Sequence, residues 1–222
     1  MNRKLVLFDC DGTILDSVGI IHDSMVRTFS EAGYAAPVQS ATRSIIGLTL
    51  DLAIARLLGR AVDGEVQTMT ARYKQHFHKL YARPDFEQSL FPGMAELVNG
   101  LAARDDVVLG IVTGKSRRGM EMFFDKHGFR EHFVTVRTAD DCPSKPHPAM
   151  VLECCAETGF EPIDSVVIGD SVFDMEMAKA AGAGAIGVAW GYNDVPLLRN
   201  AGADAIAATA DELTRMLERN DA

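Results

Sequence analysis

Leu5-Val6-Leu7-Phe8-Asp9-Cys10-Asp11-Gly12-Thr13 is the stretch on which the fold turns. Its four leading apolar residues predict a strand buried on both faces. The run stops at two acids set two positions apart, followed by glycine and threonine. Open α/β sheets bind ligands in the crevice beyond the carboxyl ends of their strands, which is where Asp9 and Asp11 would stand. Gly12 permits a tight turn and exposes backbone amides that can face an anion, with Thr13 beside it. These residues alone leave two readings open. Asp9 is a nucleophile or metal ligand with Asp11 as its acid/base neighbour, or the pair belongs to an Asp-Gly turn in which Asp9 caps the next helix.

Working outward, Ile20, Ile21, Met25, Val26 and Phe29 recur at helical spacing and predict a helix from about Ser17 to Ala32, stopped by Gly33. Ile45-Ile46-Gly47-Leu48 turns into a second helix ending at Gly59, and Val62 to Tyr81 reads as a longer third. Beyond Phe91-Pro92-Gly93 the pattern alternates: helix Met94–Ala103, strand Val107–Val112, helix Ser116–His127, strand Phe133–Val136 and helix Pro146–Thr158. Strand Ser165–Ile168, helix Ser171–Ala181, strand Ala185–Ala189, helix Asp194–Asn200, strand Ala203–Ile206 and helix Asp211–Leu217 follow. This alternation predicts an α/β fold: a doubly wound, mostly parallel sheet with helices on both faces. The helical block is then an insertion. Residues 1–15 and 88–222 form the expected core, and 16–87 an all-helical cap, with hinge strands near Asp16-Ser17 and Arg83-Pro84-Asp85.

A chain of 222 residues can bury a proper core, and its formal net charge of -9 argues against general nucleic-acid binding. A phosphate site in so acidic a chain needs a bound cation, a lysine and oriented amides to reverse the local field. Cys10, Cys142, Cys154 and Cys155 form no Cys-x-x-Cys pair and suit a reducing compartment. No apolar run approaches transmembrane length, and the opening one is cut by Asp9 and Asp11 too early for a signal peptide. The expectation is a cytoplasmic protein without membrane or nucleic-acid partners, acting as monomer or homodimer.

Two motif-like stretches are set aside. Gly182-Ala183-Gly184-Ala185-Ile186-Gly187 spells the dinucleotide fingerprint, but it follows a helix and enters a strand, the reverse of the required order. Gly110 to Ser116 is one residue short of a nucleotide-binding P-loop, and its first glycine falls inside a strand.

Three other stretches lie at predicted strand ends. Thr113-Gly114 offers a hydroxyl and an amide to a phosphoryl oxygen, or Thr113 simply caps the Ser116 helix. Ser144-Lys145-Pro146-His147-Pro148 holds a lysine on a proline-stiffened loop, with His147 read as a packing or capping residue. Gly169-Asp170-Ser171-Val172-Phe173-Asp174 places two carboxylates at i and i+4, on one face of a helix start. With Asp9 and Asp11 these would crowd four acids into one crevice, which a hard divalent cation with oxygen ligands relieves; Mg²⁺ fits best.

In this order and spacing, Asp9-Cys10-Asp11-Gly12-Thr13, Thr113-Gly114, Lys145-Pro146 and Gly169-Asp170 with Asp174 resemble the four motifs of the haloacid dehalogenase superfamily. The cap length and Phe91-Pro92-Gly93 are similar to its phosphoglycolate phosphatase-like branch. The resemblance implies that Asp9 attacks phosphorus to form an aspartyl-phosphate while Asp11 acts as general acid and then base. It implies that Gly12, Thr13, Thr113, Gly114 and Lys145 surround the phosphate. Mg²⁺ would be held by Asp9, the Asp11 carbonyl and Asp170, with Asp174 as an outer or orienting group. The implied activity is hydrolysis of a small phosphorylated metabolite, phosphoglycolate-like or a sugar phosphate. The alternatives are a sugar-phosphate mutase of the β-phosphoglucomutase type and, disfavoured by the presence of Asp11, a haloacid dehalogenase. Substrate specificity is expected from the stretch bearing Arg43, Gly47, Leu48 and Thr49; Lys74 and Lys79 read as solvated, and Tyr73 and Phe77 as packing residues.

Overall fold

A computed structural model describes residues 3–219. The chain opens with β1 (Lys4–Phe8) and the two-residue β2 (Leu15–Asp16), then runs through α1 (Val18–Glu31), α2 (Gln39–Arg43), α3 (Leu50–Leu58) and α4 (Gly64–Tyr81). It returns through β3 (Ser89–Leu90) into α5 (Met94–Ala102), β4 (Val107–Val112), α6 (Arg117–His127) and β5 (Phe133–Arg137). The remainder is α7 (Ala149–Thr158), β6 (Ser165–Gly169), α8 (Val172–Ala181), β7 (Gly184–Val188), α9 (Val195–Asn200), β8 (Ala205–Ala207) and α10 (Ala210–Arg219).

Six strands form one parallel sheet in the order β5-β4-β1-β6-β7-β8. β1 is central because every residue from Leu5 to Phe8 is apolar and buried, as a strand covered on both faces requires. Val6 and Phe8 face a cluster with Val98 and Leu213, whereas Leu5 and Leu7 face Val151 and Met175 on the other side. Each such side chain contributes about 1.5–3 kcal/mol on burial, so the pattern fixes the register of the central strand. The chain builds outward from β1 through β4 and β5, then crosses back to β6 on its other side. That reversal opens a crevice at the carboxyl end of β1.

Helices α1 to α4 all lie between β2 and β3 and bury their own cluster around Met25, Phe29, Ile54, Val66 and Met69. The two connections pair as a short antiparallel ribbon, Leu15 with Leu90 and Asp16 with Ser89. The return connection therefore pairs later than the expected Arg83–Asp85, where Arg83 and Asp85 instead close a turn through a two-pronged ion pair. A second difference concerns α7, which starts at Ala149 and not at Pro146, with Pro148 as its N-cap residue. Pro148 pushes its predecessor away from helical backbone. Lys145 consequently stands in the loop before the helix, on a cis Lys145-Pro146 peptide. The glycine-rich stretch caps α8 at Gly182 in the left-handed region and then becomes β7, which rules out a nucleotide loop there. Among the described residues, no helix is long and apolar enough to cross a membrane.

Candidate active site

Three strand ends and one loop converge on a buried cluster. Asp9 follows β1, Thr113 follows β4, Asp170 follows β6, and Lys145 comes from the loop ahead of α7; all four are about 1% exposed. Lys145 Nζ lies 2.8 Å from Asp9 Oδ1 and 2.6 Å from Asp174 Oδ1. The other Asp174 oxygen accepts from the Ser171 hydroxyl at 2.6 Å and the Ser171 amide at 3.0 Å, within a capping box that starts α8. Asp174 is thus both a helix-start acid and a partner of Lys145, and the two readings of it merge. Asp170 accepts from the Thr13 hydroxyl at 3.2 Å and the Tyr192 amide at 2.8 Å. Gly12 adopts φ 95°, and a side chain there would collide with the Asp170 carboxylate, so this turn requires glycine.

Asp9 differs from the rest. Despite the nearby ammonium, neither of its oxygens receives a well-directed hydrogen bond. It also caps no helix: α1 begins after Ser17 without a side-chain cap. Burial, then the Asp174 charge, push its carboxyl up to about 7 against the opposing pull of Lys145. Asp170 is raised well above the ordinary carboxylate range by burial and by Asp174 and Asp9. Burial would lower Lys145, but Asp174 and Asp9 outweigh it and hold the ammonium above its usual range.

One ammonium therefore faces three carboxylates. Oxygen atoms of Asp9, Asp170 and Asp174 lie within 4.8 Å of one another. With all three ionised the set would carry two negative charges beyond the ammonium, its donors are hard oxygens, and Asp9 has hydrogen-bonding capacity to spare. These residues fit a divalent cation of the Mg²⁺ kind. A linked pH dependence follows. In the unfolded chain Asp9 ionises near 3.8, whereas in the cation-free fold it holds its proton to about 7. Stability of the cation-free protein should fall as pH rises through that window, and a bound cation should cancel the fall. The increase in melting temperature on adding Mg²⁺ is accordingly expected to be larger at pH 8 than at pH 6, as read by thermal denaturation.

Asp11 stands apart from this cluster. Both of its oxygens accept from Lys115 Nζ, at 2.7 and 2.8 Å, and Oδ1 also accepts from the Ser17 hydroxyl at 2.6 Å. Lys115 Nζ lies 5.7 Å from the centre of the Phe77 ring on α4, so a helix of the inserted block covers this ion pair. Thr113 does not cap α6; Ser116 does, accepting from the Gly119 amide. The Thr113 hydroxyl accepts only from the Lys115 amide at 3.2 Å and keeps its proton free for a ligand. Gly114 is close under the inserted block, since a Cβ there would sit 2.6 Å from the Leu48 carbonyl oxygen.

Above these groups lies a cavity of about 640 Å³, with Asp9, Asp11, Thr113 and Gly114 at its floor and Gly47, Leu48 and Thr49 in its wall. The Thr49 amide donates to the Ser144 hydroxyl at 2.9 Å, which ties this stretch to the Lys145 loop. Arg43 is exposed and outside the cavity lining, because its short helix turns it to solvent before the chain dips at Gly47. Lys74 is exposed as expected, yet stands at the cavity edge; Tyr73 and Phe77 pack and line the cavity at once. His147 caps α7, its Nδ1 accepting from the Ala149 amide at 3.2 Å.

Sequence reasoning passed over Lys115, Ser17, Trp190 and Tyr192. The Tyr192 hydroxyl accepts from the Ser17 and Val18 amides at 2.8 and 3.0 Å and donates to Asp16 at 3.2 Å. Trp190 donates to the Thr13 carbonyl at 3.0 Å. The available signal was positional: Trp190-Gly191-Tyr192 follows β7 at the same sheet end as the other motifs. Lys115 was hidden inside the rejected P-loop likeness.

Comparison with known proteins gives the family. The family model described as haloacid dehalogenase-like hydrolase matches residues 6–188. A protein named "Probable phosphatase IndB" from Dickeya dadantii is 29% identical over 212 residues, 95% of this chain and 92% of its own. A phosphoglycolate phosphatase of Vibrio parahaemolyticus is 27% identical over 220 residues, 97% of this chain and 95% of its own. The crystal structure of a hydrolase from Pseudomonas syringae superposes with a TM-score of 0.85 at 22% identity, covering 98% of this chain and 99% of that one. The matched span contains Asp9, Asp11, Thr113, Lys145, Asp170 and Asp174 together, and the chain belongs to the haloacid dehalogenase-like hydrolase family.

Proposed function

We propose that this protein is a Mg²⁺-dependent phosphatase that hydrolyses a phosphomonoester through a phosphorylated Asp9. The observation that carries the reading is the state of Asp9: buried at a strand end, short of hydrogen bonds, and beside the Lys145 ammonium. The comparisons support the class of reaction, since the relatives above carry phosphatase names.

Asp9 attacks phosphorus, forming one O–P bond while the bond to the leaving oxygen breaks. Asp11 gives that oxygen its proton and the alcohol departs. Water then attacks the phosphoryl group, Asp11 takes its proton, and inorganic phosphate leaves with the Asp9 carboxylate restored. Lys115 and Ser17 fix where Asp11 stands, each donating to its carboxylate. Lys145 and the Thr113 hydroxyl stabilise charge on the phosphoryl oxygens from buried positions. When bound, Mg²⁺ would be held by Asp9 and Asp170, with the Asp11 carbonyl, and would supply positive charge to the phosphoryl oxygens; Asp174, engaged by Lys145 and Ser171, orients from outside. Residues 16–87 act as a cap, moving on the β2–β3 ribbon to exclude bulk water.

Purified protein with Mg²⁺ is expected to release phosphate from members of a phosphoester panel. No release from any member would sink the reading, whereas activity that needs a bisphosphate primer and yields little free phosphate would replace it with a mutase. Thr113→Ala, which removes one phosphoryl donor, should lower kcat by about 10²-fold in the same assay.

A further inference from the structure

The cavity above the strand ends differs from what a two-carbon acid needs. Its volume of about 640 Å³ falls within the range of roughly 300–1,000 Å³ that suits drug-sized ligands. Away from Asp9 and Asp11 the lining is mixed, but Met25, Ile46, Tyr73 and Phe77 give it an apolar part on the side of the inserted block. Tyr73 and Phe77 stand one helical turn apart on α4 and stack at 6.2 Å between centres with planes 25° apart. Two neighbouring aromatic rings thus line one part of the cavity, where an aromatic group gains contact area and edge-to-face ring geometry.

The same helix supplies an unmet polar group. Thr70 lines the cavity, and its hydroxyl is buried without a hydrogen-bond partner. Buried hydroxyls are nearly always paired, so this one marks a place where a bound molecule brings the missing donor or acceptor. The lysine beside Asp11 is not free for a substrate carboxylate. Lys115 is already engaged by both oxygens of Asp11, while Lys74 and Arg118 are exposed.

From this juxtaposition we propose that the substrate is a phosphomonoester of a ring-bearing alcohol, its planar, largely apolar ring lying on the Tyr73–Phe77 side and a polar ring substituent pairing with Thr70. The proposal rests on the phosphatase reading above and narrows it away from phosphoglycolate. The phosphate occupies the Asp9 end, and the ring fills the volume that a two-carbon group leaves wet.

The test is a ranking of kcat/KM on the wild-type protein with Mg²⁺, using phosphoglycolate, glucose 6-phosphate, pyridoxal 5′-phosphate and thymidine 5′-monophosphate as probes. At least one ring-bearing aromatic ester is expected to exceed both of the others by about tenfold or more, the discrimination that a matched apolar pocket provides. Phe77→Leu, which keeps bulk but removes the aromatic ring, and Thr70→Val, which removes the hydroxyl, should each shrink that ratio. Phosphoglycolate or glucose 6-phosphate equalling the aromatic esters overturns the proposal and leaves the phosphatase reading standing. Absence of turnover with all four probes and with the wider panel removes the phosphatase reading, and this proposal with it.

Discussion

Asp9→Asn is expected to reduce phosphate release by about 10⁴-fold or more, because the amide cannot attack phosphorus and no other carboxylate is placed to replace it. Asp170 is tied to Thr13 and the Tyr192 amide, Asp174 to Lys145 and Ser171, and Asp11 to Lys115 and Ser17. Of these four carboxylates, Asp9 is the one with no directed hydrogen bond to either oxygen among the described residues. The substitution should leave the fold intact. Burial already disfavours the ionised form of Asp9, so a neutral isostere relieves charge crowding. Melting of the cation-free variant at pH 8 is expected at or above the wild-type temperature, with a smaller gain on adding Mg²⁺. Turnover within about tenfold of wild type would show that Asp9 is not the nucleophile.

Lys145→Met should be the most damaging single change to stability at the site. It removes the one ammonium between Asp9 and Asp174, both buried, and leaves their charges facing each other. Removing one partner of a buried pair typically costs about 3–5 kcal/mol, and a domain of this size loses roughly 2–4 °C of melting temperature per kcal/mol. Activity should be lost as well, since the phosphoryl oxygens lose their nearest cation. The companion Lys145→Met/Asp174→Asn protein separates the two effects. Neutralising Asp174 should recover part of the stability, measured by denaturant unfolding, without restoring turnover. Equal loss of stability in the single and double variants would contradict a charge-based origin.

The sheet was legible because its strands are covered on both faces and so appear as uninterrupted apolar runs, β1 above all. The site was legible where chemistry and topology coincide: Asp9, Thr113 and Asp170 each come directly after a strand of the central four. What escaped detection depends on contacts across long stretches of chain. Tyr192 meets Ser17 across 175 positions, and Trp190 meets Thr13 across 177, through residues whose types are equally common in ordinary packing. Lys115 illustrates a different limit. Its place two residues after Thr113 was plain, but its direction was not: the side chain turns to Asp11, with Ser17 bonded to that carboxylate and Phe77 lying over the ammonium. The start of α7 was misplaced because Pro146 resembles a first-turn proline, while Pro148 two positions later sets the actual boundary. Arg43 was expected among the specificity residues, and only the path of the chain from α2 to Gly47 shows that it misses the cavity.

Trapping the phosphorylated residue tests the central claim most directly. Borohydride added during steady turnover reduces an acyl phosphate to the corresponding alcohol, converting an aspartyl residue to homoserine, which peptide mass mapping locates. The account predicts homoserine at position 9, dependent on substrate and absent in Asp9→Asn. Homoserine at another position, or none while phosphate is being released, would contradict it.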